Sequence, residues 1–91
     1  MWIVEDKDGL PVELTFERWR HIVRAHPELA RWRRSVLVAI RVPTKVHPGL
    51  EPNERWHYLL GAGPNRWLKV VVAFEDGRGF VVTAFARRAF P

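Results

Sequence analysis

Ninety-one residues with 47% hydrophobic content make one domain with a modest core, because a chain of this length buries roughly 60–65% of its unfolded surface. That content excludes a disordered chain, and the absence of cysteine excludes disulfides, thiolate metal sites and a cysteine nucleophile. The net charge of +5 is unevenly spread: residues 1–17 hold five acids and one lysine, whereas residues 18–41 hold seven arginines and one glutamate. Such segregation is expected of a surface meeting a polyanion, although arginine-rich coding bias or a hot habitat gives the same arginine count.

WIVE (Trp2–Glu5) and LPVEL (Leu10–Leu14) flank DKDG, whose Asp8-Gly9 pair predicts a tight turn and a short hairpin. Pro11 restricts the second strand to an edge. Thr15 is placed to cap a helix starting at Phe16. At 100° per residue, Phe16, Trp19, Ile22, Val23 and His26 share one arc, and Glu17, Arg18, Arg20, His21 and Arg24 lie outside it. Pro27 breaks that helix or opens the next. A second helix is expected over Glu28–Arg41, with Leu29, Trp32, Val36 and Ile40 as its buried stripe. Pro43 ends it. Strands follow: VPTKVH, ERWHYLL (Glu54–Leu60), RWLKVVVAFE (Arg66–Glu75) and FVVTAFARR (Phe80–Arg88), joined by short connections that make neighbours antiparallel.

The expected fold is therefore α+β, with a short hairpin and two helices packed on a four-stranded antiparallel sheet. Alternation puts Leu68, Val70, Val72 and Phe74 on one face of the long strand and Trp67, Lys69, Val71 and Ala73 on the other. Extending this to the neighbouring strands predicts Arg55, His57, Lys69, Thr83 and Arg87 together on the face away from the helices. A bulge in any strand reverses such an assignment locally.

The residue inventory narrows the chemistry. His21 and His26 are five apart on a helix and cannot chelate from one face, and no carboxylate cluster accompanies His47 or His57, so no metal site is expected. Gly61-Ala62-Gly63 lies between two strands and reads as a turn, not a phosphate loop. Ser35 is mid-helix. No cofactor is implied. Apolar runs such as Val70–Phe74 are far below membrane-spanning length, and MWIVEDKDG lacks the order of a signal peptide. A cytoplasmic protein with no membrane partner is expected.

Metal-free RNA cleavage fits better. The substrate supplies its own nucleophile, the 2′-OH, and the protein supplies a base, an acid and positive charge for the phosphorane. His21 or His26 suits proton transfer near neutral pH. Arg24, Arg55, Lys69 and Arg87 are the candidate phosphate-binding residues, and Thr83 a candidate hydrogen-bond donor to phosphate. Packing at a helix end also accounts for His26, and a solvated helix face also accounts for the arginines.

Read in order, LTFERWRHIVRAHPEL, VPTKV, ERWHYLL, WLKVVVAF and FVVTAFARR resemble a phage- and mobile-element-associated nuclease family of the barnase–EndoU–colicin–RelE group. The resemblance covers residues 14–88. It implies metal-independent cleavage of RNA by a toxin-type ribonuclease, with functional weight on His21, His26 and Thr83 and with a cognate antitoxin as partner. The alternatives are a non-catalytic RNA- or DNA-binding module on the same basic face, and an accessory protein of a phage or mobile element.

Overall fold

The computed structural model describes residues 1–91. Its elements in chain order are β1 (Trp2–Glu5), β2 (Pro11–Leu14), α1 (Phe16–Ala25), a 3-10 turn (Pro27–Leu29), α2 (Arg33–Arg41), β3 (Lys45–Pro48), β4 (Glu54–Leu60), β5 (Trp67–Glu75) and β6 (Arg78–Arg87). No helix is long and apolar enough to cross a membrane.

The hairpin forms as its turn chemistry predicts. The Asp6 carboxylate accepts from the backbone N–H groups of Asp8 and Leu10, both at 2.9 Å, and Gly9 takes the positive φ of 85° that the turn needs. Thr15 caps α1, its hydroxyl accepting from the Arg18 N–H at 3.0 Å. The second helix is shorter than expected. Its first part closes as the 3-10 turn, and Trp32 leaves helical geometry at φ −113° and ψ 19° before α2 begins. The stripe is nevertheless buried: Leu29, Val36 and Ile40 are fully inside, joined by Ala39, and Trp32 packs against them.

The sheet differs from expectation. It is six-stranded and mixed, in the order β1-β2-β6-β5-β4-β3. The hairpin is part of it, because β2 pairs parallel with β6 through Val12–Gly79 and Glu13–Phe80. Pro11 stands at the first residue of β2, where its missing donor is tolerated, and the rest of β2 is an inner strand. Two features fasten this junction. Arg78 donates to the Glu13 carboxylate at 2.8 Å. Gly79 leaves room for the approach, since a Cβ there would lie 2.9 Å from Val72 Cγ1 and 3.0 Å from Val12 Cγ2.

One bulge sets the faces. In β5 and β6 the pairs run Val71–Thr83 and then Val72–Val81, so Val82 is the extra residue. Val81 and Ala84 therefore both reach the helix side, where they join Val12, Leu14, Leu68, Val70 and Val72 in the core. Thr83, Phe85 and Arg87 take the opposite side, level with Val71, Lys69 and Trp67.

The β4 pairing overturns part of the expected face. His57 is level with Val70 and Arg55 with Val72, and residues directly opposite share a face. Both therefore lie on the helix side. His57 is 1% exposed in the core, and its Nδ1 has no hydrogen-bond partner. Arg55 is exposed at the end of that face, its guanidinium 5.7 Å from the centre of the Phe74 ring.

Two predictions follow from the packing. Gly79→Ala is expected to destabilise the fold by about 1–3 kcal/mol, the usual range for overpacking a filled core, and urea unfolding measures it. The second concerns His57. Burial lowers its pKa from 6.5, against an opposing pull from Asp6. The folded state thus holds the imidazole neutral. Its contribution is fully present above 6.5 and is lost as pH falls below that value towards the lowered one. Unfolding free energies measured on both sides of 6.5 should show a steeper acid loss in the wild type than in His57→Leu.

Candidate functional site

The face away from the helices is aromatic and basic. Tyr58 stands opposite Lys69, and Trp56 opposite Val71. From β3, Lys45 stands opposite Tyr58 and His47 opposite Trp56. Lys69 lies at the centre. It is 5% exposed, and its ammonium sits 3.4 Å from the centre of the Trp56 ring, 5.3 Å from Phe85 and 5.7 Å from Tyr58. Ring quadrupoles hold a cation there without a carboxylate in salt-bridge contact.

That setting alters the titration of two groups. Burial lowers the Lys69 pKa, Arg87 lowers it further, and Glu54 works in the opposite direction. Burial raises the Tyr58 pKa while Arg87 opposes the rise. The Tyr58 hydroxyl is buried and has no hydrogen-bond partner. Such an orphaned group costs the fold free energy unless something else uses it.

His26 reaches this face from α1. Its backbone N–H closes the helix onto the Ile22 carbonyl at 2.7 Å. Its ring stacks on Phe85 with centroids 5.5 Å apart and an interplanar angle of 30°. Pro27 opens the 3-10 turn, and that turn carries Glu28, whose carboxylate lies 3.8 Å from His26 Nδ1. Phe85 thus has the His26 imidazole and the Lys69 ammonium against the same ring.

Of the residues singled out in the sequence, the structure gathers His26, Lys69, Thr83 and Arg87. His21 and Arg24 are not part of this group. Both are exposed on the outer side of α1, lining one shallow depression with Glu17 and Arg20. Arg55 is separated from it by the thickness of the sheet. Residue-by-residue reading missed the aromatic members Trp56, Tyr58 and Phe85, along with His47 and Glu54. Glu54 lies on the same side as Trp56, and its carboxylate accepts from the Trp56 indole N–H at 3.1 Å. The alternation of ERWHYLL was the available signal, with its parity inverted.

No group of three or more His, Asp or Glu side chains is placed to hold a metal ion. No family model, curated protein or solved structure matches the chain. The functional reading therefore rests on the chemistry of this face.

Arg87 is the shared influence on Lys69 and Tyr58, and its removal has a definite sign. In Arg87→Ala both pKa values should rise. Tyr58 is the only tyrosine, so phenolate absorbance reads it alone, and side-chain NMR of labelled lysine reads Lys69. A fall in either value would contradict the assigned geometry.

Proposed function

We propose that this protein is a metal-independent endoribonuclease whose working surface is the sheet face around Lys69. The observation that carries the reading is the shared contact of His26 and Lys69 with Phe85, with Arg87 and Thr83 on the same face. This combination supplies what attack by an internal 2′-OH requires. A base removes the 2′-OH proton, the oxygen bonds to the adjacent phosphorus, and the bond to the 5′-oxygen breaks. An acid returns a proton to that leaving oxygen. The products are a 2′,3′-cyclic phosphate and a 5′-hydroxyl.

His26 takes the proton-transfer role because its half-exposed ring stands at the rim of the face. Lys69 is a readier proton donor than an ordinary lysine, since its pKa is lowered, and while charged it stabilises the phosphorane together with Arg87. Thr83 offers a hydroxyl to a phosphate oxygen. Arg24 lies on the outer side of α1 and serves approach of the RNA, where steering by charge is effective; His21, on the same outer side, takes no part in the reaction. The resemblance to toxin-type nucleases supports the same chemistry and adds a cognate antitoxin as the expected protein partner.

A second reading has its own support. Aromatic rings interleaved with cations are what single-stranded nucleic acid needs for stacking and backbone contact even without cleavage. That reading predicts binding that weakens steeply with salt and no product.

The deciding experiment incubates the protein in EDTA with a labelled RNA and its all-deoxy counterpart. Cleavage of the RNA alone, leaving cyclic-phosphate ends, is the expected result. His26→Ala should lower the rate by about 10²–10⁴-fold, the range for losing a positioned acid or base, whereas folded His21→Ala should stay near wild type. Intact RNA at every pH tested would end the ribonuclease reading.

A further inference from the structure

The segment after β6 folds back over the same face. Phe90 packs edge-on against Tyr58 with centroids 4.6 Å apart, tilts over Trp67 at 5.7 Å, and meets His47 edge-on at 6.0 Å. The Lys45 ammonium lies 4.7 Å from the centre of its ring. Beneath it, Tyr58 is fully buried with an unpartnered hydroxyl. An apolar ring packed on a tyrosine whose buried hydroxyl has no partner is a poor match, because it offers that hydroxyl no hydrogen bond. Stacking rings, flanking cations and an unused polar group below instead describe the requirements of a nucleobase, which has a π-face, polar edges and a phosphate nearby.

We infer that Tyr58, Trp67 and His47 form a nucleobase subsite for single-stranded RNA, and that Phe90 occupies it in place of the base. The inference rests on the ribonuclease reading for the identity of the ligand. It adds where a base next to the scissile phosphate sits and what must leave to admit it. Phe90 can withdraw without unmaking the sheet: β6 ends at Arg87, and Arg88 and Ala89 are exposed between the strand and the ring. With Phe90 displaced, the Tyr58 hydroxyl gains a partner on the base edge. Lys45 on β3 and Lys69 on β5 stand on either side of Tyr58 and suit the phosphates that flank the base.

The test uses binding, so it does not depend on turnover. A fluorescent 2′-O-methyl oligoribonucleotide, which cannot be cleaved by this route, is compared with an abasic oligomer of equal length and charge. Phe90→Ala should tighten binding of the base-bearing oligomer by about three- to tenfold, less than a full stacking contact, and leave the abasic one unchanged. Phe90→Leu, which keeps an apolar cover, should fall between. Tyr58→Phe should weaken base-bearing binding severalfold while raising the midpoint of thermal unfolding, since it removes a buried hydroxyl without a partner. Weaker base-bearing binding in both Phe90 variants would make the ring part of the platform and overturn the inference. Equal affinity of Phe90→Ala for both oligomers would also overturn it and leave the ribonuclease reading intact. Absence of binding to either oligomer would overturn both.

Discussion

The one-residue bulge at Val82 governs both faces of the sheet. Strict alternation from Val81 would send Thr83, Phe85 and Arg87 into the core and Ala84 out of it. The extra residue reverses that order midway along β6, so a strand that begins by filling the core goes on to arm the opposite face. A bulge frees backbone groups from the ladder, and here the freed group is used: the Val82 carbonyl accepts from the Arg18 guanidinium at 3.3 Å. Arg18 belongs to α1, the helix that also ends in His26. The contact that satisfies the bulge therefore fastens the helix beside the strand whose outward residues it joins.

Much of this architecture is legible in the sequence because it is local. The Asp8-Gly9 turn, the Thr15 cap, the break at Pro27 and the bounds of β4 each depend on a few adjacent residues, and all appear, whereas β3 starts three residues later and β6 two residues earlier than expected. The parity within β5 is equally legible, which is why Lys69 is read onto the correct face. What escapes is non-local. The parallel pairing of β2 with β6 joins segments more than sixty residues apart, and no short connection announces it. The parity of β4 relative to β5 is the other failure. In ERWHYLL, Trp56 and Tyr58 look like core residues, and Arg55 and His57 look like surface residues. The structure inverts this, because burial of apolar groups is a one-way rule. A histidine can be held neutral inside, and large rings can be buried against each other on the opposite face.

That face is expensive to maintain. Lys69 is nearly enclosed without a carboxylate contact, and Tyr58 is enclosed without a hydrogen-bond partner. Neither arrangement helps the fold, since desolvating a charge or a hydroxyl opposes folding unless a partner compensates. The rings around Lys69 offset part of the cost. Violations of packing rules concentrate at functional sites, and here two of them stand opposite each other on adjacent strands. His57 is a third buried polar group without a partner on Nδ1, but it lies across the sheet among core residues, where its effect is on stability at low pH.

The stretch HIVRAHPE contains two histidines that occupy different surfaces for a geometric reason. His21 is one residue before the buried Ile22, and 100° around the helix carries it to the outer side. His26 is four residues after Ile22, which returns it to the inner side at the C-cap of the helix. There it meets an edge of the sheet that is open, because β2 covers β6 only at Gly79 and Phe80. A longer β2 would pair with the residues beyond and hold α1 away from Phe85. Its brevity leaves room for the helix end, and the Pro27 turn stops the chain where the imidazole can reach around that edge. The C-cap of α1 and the candidate proton carrier are the same residue, so the end of the helix and the position of the imidazole beside Phe85 are set together.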